Sequence, residues 1–389
     1  MKSTAAKYLL WLGVLAVLGV IATGTLNYLA DPYGIYHYGE PSDWVKSRPR
    51  IRNLERLHKA YAVRTAQAET LLLGNSRVLT GLAPTHPALL PPAYNLALSA
   101  ANIYECRRYL EHAAAFHQPK LVLLGIDQWM FDADSQPEAD FTEERLAVDV
   151  ALRPQRPWLP PDLMASLFST SAVRDSLLTL AGRAKQVRYP QGMRDESLMR
   201  PYLKAPQVLA ENARWIKDMR TKPFDLFEPD GGNLQFDALA GIVHFCAERG
   251  IRLCIFTNPL HAETLDYALA DGHTYRQWMT ALLACVETNS TGAATPPEVW
   301  DFCGFNPVTT EPFPEPGETE SRMRYYWEIS HFRKEVGDMM LAAMLAGENN
   351  HLGNRVTSAT LEAEWTKLEE EHRRWKSRVG SQNASAPQP

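Results

Sequence analysis

The stretch Glu69-Thr70-Leu71-Leu72-Leu73-Gly74-Asn75-Ser76-Arg77 decides how the rest of the chain reads. A short apolar run without alternation, broken by Gly-Asn-Ser, reads as a buried strand that ends in a loop. Unbroken apolar strands suit a parallel sheet covered on both faces. Two further runs have the same character, Pro119-Lys120-Leu121-Val122-Leu123-Leu124-Gly125 and Ile251-Arg252-Leu253-Cys254-Ile255-Phe256-Thr257, and residues 299–302 make a fourth, shorter one. Residues 53–66, 102–117 and 236–249 carry helical spacing between them. Strands alternating with helices predict an α/β fold with a doubly wound, mainly parallel sheet. Such sheets bind ligands beyond the carboxyl ends of their strands. Ser76, Asp127 and Asn258 each follow an expected strand directly, so all three belong to one rim.

Outward from this core, residues 8–26 carry no charge and are rich in Leu, Val, Ile, Ala and Gly. About 20 such residues cross a bilayer core of about 30 Å, and Tyr8, Trp11 and Tyr28 suit the interfaces. A cleaved signal peptide has a shorter apolar region and small residues at its cut site, where this chain has Tyr28. The reading is an uncleaved anchor that meets the lipid bilayer through residues 8–29. Lys2, Lys7 and the terminal amine precede the span and Asp31 follows it, while Lys46, Arg48, Arg50 and Arg52 lie further on. The charges nearest the span keep the N-terminus in the cytoplasm and export the domain across the inner (cytoplasmic) membrane. The expected organisation is a stub and anchor at 1–30, then a linker with an amphipathic helix at 31–67 after the turn signal Asp31-Pro32-Tyr33-Gly34. An α/β domain follows at 68–345, with a helical insertion at about 133–230 that holds Pro154, Pro157, Pro160 and Pro161. A charged helix (357–378) and a disordered tail from Ser381 complete the chain at 346–389.

Composition narrows the chemistry. The 389 residues are 45% hydrophobic, as in an ordinary globular protein, and the net charge of -5 comes without a basic block, which argues against a nucleic-acid partner. Cys106, Cys246, Cys254, Cys285 and Cys303 show no C-x-x-C or Cys/His spacing, so neither a structural zinc nor another metal site is expected. Cys254, inside an apolar run, reads as a buried thiol.

Ser76 admits two roles. A serine just past a buried strand exposes its hydroxyl at a sheet edge, next to backbone amides that help hold an oxyanion; it is also a good helix N-cap. The segment Tyr325-Tyr326-Trp327-Glu328-Ile329-Ser330-His331-Phe332 weighs on the choice. A serine nucleophile needs a base and the base an orienting acid. A helical or turn backbone puts Glu328 and His331, three apart, on one side. Asp301, at the end of a possible strand, is a reserve acid.

Together these segments resemble the SGNH (GDSL-like) hydrolase superfamily, over about residues 68–132 and 250–340. That family has a Gly-Asp-Ser or Gly-Ser-Ser loop after its first strand and an Asp-x-x-His pair near its C-terminal end. The matching residues are Ser76 and His331, with Glu328 in the acid position. The pieces Gly74-Asn75-Ser76-Arg77, Tyr94-Asn95-Leu96-Ala97-Leu98-Ser99 and Leu124-Gly125-Ile126-Asp127 resemble its membrane-anchored bacterial members, including teichoic-acid D-alanylation and polysaccharide O-acetylation proteins. The resemblance implies an SGNH/flavodoxin-like sheet and a serine esterase or O-acyltransferase without organic cofactor or metal. It would act on acyl groups of a cell-envelope glycan or lipid, with a membrane-bound acyltransferase as a partner.

Three departures stand out. Ser99 occupies the second block in place of a Gly, the third block ends in Asp127 rather than Gly-x-Asn-Asp, and Glu328 is one methylene longer than Asp. An ionised Asp cannot donate to an oxyanion, so that task falls to Asn75, Asn95 or Asn102, with Arg77, Asp127 and Asn258 as further candidate binding residues. The departures also admit a second function, a non-catalytic binding partner in an envelope polysaccharide-modification assembly. Topology is open to direct test: a reporter that fluoresces only in the cytoplasm, fused after Gly380, is expected to stay dark, and a bright fusion reverses the orientation.

Overall fold

The apolar runs near residues 70, 121 and 252 become neighbouring strands in the computed structural model, which describes residues 2–37, 45, 48, 50–155, 161–182, 189–270, 274–349 and 351–385. Lys46, Pro157, Pro160 and tail residues 386–389 lie outside the described residues. In chain order the first elements are α1 (Lys2–Ala30), α2 (Glu55–Ala66), β1 (Thr70–Leu73), α3 (Ser76–Gly81), β2 (Ala93–Asn95), α4 (Ile103–Ala114) and β3 (Leu121–Ile126). There follow α5 (Pro161–Phe168), α6 (Thr170–Leu180), α7 (Ala205–Thr221), α8 (Leu234–Arg249), β4 (Arg252–Thr257), α9 (Ala262–Ala268) and α10 (Thr274–Asn289). The chain ends with β5 (Glu298–Asp301), α11 (Lys334–Leu341), β6 (Asn354–Arg355) and α12 (Leu361–Ser385). The last helix thus runs through Ser381–Ser385, where the polar composition suggested disorder.

The chain divides into two compact units, Met1–Thr65 with Ala139–Pro190, and Ala66–Glu138 with Gln191–Pro389. The stretch 133–230, expected as one insertion, is shared between them. In the first unit, α1 contains a 27-residue segment, Thr4–Ala30, long and apolar enough to cross a membrane, which is consistent with single-pass anchoring. The expected turn follows it. Asp31 takes a positive φ of 41°, its carbonyl accepts the Gly34 N–H at 3.1 Å, and its carboxylate accepts the N–H groups of Ile35 (2.8 Å) and His37 (2.9 Å).

The second unit is built on one six-stranded sheet of order β2-β1-β3-β4-β5-β6, parallel except for the β5–β6 pair. Every residue of β1 and β3 is buried, as is β4 beyond Arg252, as continuous apolar runs require. Right-handed crossovers place α3 on one face and α4, α8 and α10 on the other. Accordingly α4 packs on α8 and α8 on α10, while α3 packs on α11. The order 2-1-3-4-5 puts the topological switch point between β1 and β3, where the loops beyond the strand ends diverge and leave a crevice. All five cysteines are unpaired, and burial pushes the Cys254 thiol up to about 12.

Helix α9 begins on a buried histidine. The Nδ1 of His261 accepts the Glu263 N–H at 3.3 Å and its Nε2 meets the Glu311 carbonyl at 2.7 Å, so the neutral ring uses both nitrogens, one as acceptor and one as donor. Burial holds its pKa down at about 4, against 6.5 for a free imidazole, and His58 is likewise held down at about 4. The unfolded chain therefore binds the extra proton first as pH falls. The stabilisation is complete above pH ~6.5 and is lost on approach to the folded value, a change on the order of 3 kcal/mol for one such ring. The melting temperature of the detergent-solubilised chain is expected to drop between these two pH values. His261→Asn, which retains a capping acceptor, should flatten part of that drop; an unchanged slope would contradict the assignment.

Candidate functional site

The site begins at the end of β1. Gly74 has φ +143°, and a Cβ there would stand 2.5 Å from the Gly125 carbonyl oxygen, so only glycine lets the chain turn against β3. Asn75 then caps α3, its side-chain oxygen accepting the Arg77 N–H at 3.0 Å. The cap is thus one residue before Ser76, and the Ser76 hydroxyl has another neighbour. Its Oγ lies 2.9 Å from His331 Nε2. On the other side of the ring, Nδ1 hydrogen-bonds the Glu328 carboxylate. With Nδ1–H donating to the carboxylate, Nε2 is left to accept from the serine hydroxyl; this tautomer is assigned from the network.

Glu328 and His331 sit on a tight loop rather than a helix. Tyr326 and Phe332 form an antiparallel bridge across it, and the N–H groups of Trp327 and Arg333 bond the carbonyls of His331 (2.9 Å) and Tyr325 (2.7 Å). The fully buried Glu328 also accepts the N–H groups of Ser330 (2.8 Å) and His331 (3.1 Å). Burial by itself raises its pKa, but His331, the Ser330 N–H and the Arg77 charge together outweigh burial and hold it below the usual carboxylate range. Three outside contacts fix the loop. Asn212 of α7 accepts the Ile329 N–H at 2.9 Å, Thr264 donates to the Ile329 carbonyl at 3.1 Å, and Arg77 Nε donates to the Ser330 carbonyl at 2.8 Å. The Trp215 ring stands edge-on to His331, 6.5 Å between centroids.

Asp127 occupies the rim with its charge turned inward. Its Oδ2 accepts from Asn75 (2.5 Å), Arg77 (2.7 Å) and Asn258 (3.0 Å), which joins the loops after β1, β3 and β4. Arg77, Asp127 and Asn258 are all buried, so these three, expected as binding residues, form the framework behind the rim. Asn95 and Asn102 also differ from expectation. The Asn95 amide donates to the carbonyls of Val78 (2.9 Å) and Leu82 (3.0 Å), and so fastens α3 to β2. Asn102 caps α4 in a reciprocal box with Glu105. The Asn102 amide donates to Ser135 Oγ at 3.3 Å, and the Asn75 amide, beside Ser76, to Asp127 Oδ2, so each of the three candidate amides already holds a protein acceptor. Asp301 does not reach the imidazole; it accepts Thr257 Oγ1 at 2.6 Å and the Cys303 N–H at 3.0 Å.

Other residues at the site carry no local sequence signal. Arg194 donates to Ser99 Oγ (2.5 Å) and to the Leu79 carbonyl through its N–H (2.9 Å), and the Arg77 guanidinium lies over Trp129. Arg194, Asn212 and Trp215 come from the stretch between β3 and β4, and only folding brings them to the site. In comparisons with known proteins, no protein-family model and no curated protein matches the chain.

The buried ion pair can be probed directly. Removing one partner of such a pair typically costs about 3–5 kcal/mol, because the other charge is left buried. Arg77→Met is therefore expected to lower the urea midpoint strongly. Arg77→Met with Asp127→Leu should recover part of the loss, since no charge is then stranded. Equal losses in the single and double variants would show that the pair is not what joins the loops.

Proposed function

We propose that the second unit is an SGNH-like serine acyl-transfer enzyme, an esterase or O-acyltransferase, with Ser76 as nucleophile, His331 as general base and Glu328 as orienting acid. The observation that carries this reading is the 2.9 Å contact between Ser76 Oγ and His331 Nε2, with a buried, ionised carboxylate behind the ring. Serine is a weak nucleophile unless a base takes its proton as it attacks. In the proposed reaction Ser76 Oγ adds to an ester or thioester carbonyl while its proton passes to Nε2. Glu328 stabilises the imidazolium without itself being protonated. The Ser76 N–H at the head of α3 and the second N–H of the Asn75 amide, whose first is held by Asp127, would meet the developing oxyanion. Collapse expels the alkoxide or thiolate, which takes the proton from His331. Water or a sugar hydroxyl, deprotonated by the same ring, then releases the acyl group from Ser76. Whether the acyl group passes to water or to a sugar decides between esterase and transferase.

The proposed substrates are acyl groups on a cell-envelope glycan or lipid, with a membrane-bound acyltransferase as the source of acyl groups. The apolar α1 supports a chain tethered to a bilayer, and the resemblance of the Gly74–Arg77, Tyr94–Ser99 and Leu124–Asp127 segments to anchored SGNH-like proteins supports the substrate class.

The relay makes a graded prediction for turnover of an activated acetyl ester. Ser76→Ala and His331→Ala should each cost roughly three to four powers of ten or more, with the double variant no worse, because the residues act as one unit. Glu328→Gln should cost less. Glu328→Asp draws the carboxylate back by one methylene from His331 Nδ1 and from two backbone N–H groups, so turnover should fall rather than rise. Wild-type turnover by Ser76→Ala would end the serine mechanism. Full function of that variant in cells would assign the unit a non-catalytic binding role.

A further inference from the structure

Helices α5 and α6, in the first unit, are amphipathic in the opposite sense to helices of a water-soluble protein. Their inward positions are Ser166 on α5 and Ala172, Asp175, Ser176 and Thr179 on α6. Most of these polar groups are matched. Ser176 Oγ donates to Asn27 Oδ1 at 2.7 Å, and the Asn27 amide donates to the Leu167 carbonyl at 2.7 Å. Tyr36 pairs with Ser166 at 2.5 Å. Tyr33 and Arg50 each hold the Asp175 carboxylate at 3.1 Å. The outward positions are mainly apolar instead: Met164 is 40% exposed, Phe168 42%, Leu177 55% and Leu178 37%, with Thr170, Ser171 and Arg174 as exposed polar residues beside them. A large apolar patch left open on a folded surface calls for a partner.

The position of the hairpin says which partner. Both helices pack on α1, with Phe168 against Gly24 and Leu167 and Ser176 against Asn27 in its last turns. Gly24 and Asn27 are buried there, whereas the side chains from Tyr8 to Ala22 are all exposed. The Phe168 ring crosses α1 at Gly24, where a Cβ would come within 2.9 Å of it. A span of about 20 residues crosses the hydrocarbon core, so a span that starts at Tyr8 ends close to Asn27. The hairpin is therefore attached where acyl chains give way to headgroups, and its outward apolar side chains continue the lipid-facing surface of α1.

We propose that α5–α6 is a second membrane contact, a hairpin lying in the interfacial zone of the bilayer that α1 crosses. Met164, Phe168, Leu177 and Leu178 enter the acyl chains, and the exposed Arg174 stays at headgroup level. The occupant of the patch is phospholipid rather than protein. A single spanning helix leaves the chain that follows free to swivel, whereas two contacts on one bilayer fix the height and tilt of the first unit.

The proposal rests on α1 crossing a bilayer, and one experiment separates the two claims. The full chain, one copy per nanodisc of palmitoyl-oleoyl phosphatidylethanolamine and phosphatidylglycerol, carries a nitroxide at Leu15→Cys, Leu177→Cys, Leu178→Cys or Arg374→Cys, with the signal of the unsubstituted protein subtracted. The label at position 15 tests the span and that at 374 is the water reference. Labels at 177 and 178 are expected to remain accessible to oxygen and to lose accessibility to a water-soluble nickel chelate, as at 15. If 15 reports lipid while 177 and 178 report water, the hairpin proposal fails and the anchor stands. If 177 and 178 are closed to both reagents, protein covers the patch and the proposal also fails. If 15 itself reports water, the anchor is wrong and the hairpin proposal falls with it.

Discussion

A single carboxylate oxygen, Asp127 Oδ2, joins three strand ends. It receives Asn75 from beyond β1, Arg77 from α3 and Asn258 from beyond β4, while Asp127 itself follows β3. Each strand end is a loop with backbone freedom of its own, and a parallel sheet has no hairpins to tie such loops together. Removing a partner from a buried charge is strongly destabilising, and here all three donors converge on Oδ2 while Oδ1 is buried without one, so this arrangement admits little rearrangement. Arg77 carries the constraint further. Its guanidinium bonds Asp127 with one nitrogen and the Ser330 carbonyl with another. The residue next to Ser76 thus sets where the loop with Glu328 and His331 comes to rest.

The Glu328 loop shows how a Glu rather than a shorter Asp is accommodated three residues before His331. The extra methylene does not push the carboxylate past the imidazole, because the loop turns tightly and offers it two backbone N–H groups as well as the ring. His331, the Ser330 N–H and the Arg77 charge favour the ionised form and together outweigh the penalty of complete burial, as the lowered pKa of Glu328 reflects. The longer side chain and the shape of the loop therefore belong together.

Much of this was legible in the sequence, for identifiable reasons. Continuous apolar runs announced β1, β3 and β4, and the Asp31-Pro32-Tyr33-Gly34 signal announced the turn after α1. Ser76, Glu328 and His331 do come together. The edge strands β2 and β6 are three and two residues long, too short for a periodicity to register. The asparagines near Ser76 could not be sorted, because a side chain that caps a helix, one that ties a helix to a strand and one that binds a buried carboxylate look alike in sequence. Only the partners of Asn75, Asn95 and Asn102 separate them. The inverted polarity of α5 and α6 was equally hidden, since a helical wheel does not say which side faces the protein.

The two sides of the Ser76–His331 contact are 255 residues apart in the chain. In order of synthesis the hydroxyl appears long before its imidazole, and local structure around α3 can form while the partner loop has yet to be made. Contacts of such high separation form late, since they must overcome the entropy of closing a long loop. Until the C-terminal loop docks through Arg77, Ser76 lacks the imidazole partner it has in the folded chain. The paired site is thus a property of the completed fold alone, and a truncated or half-folded chain carries Ser76 without its histidine.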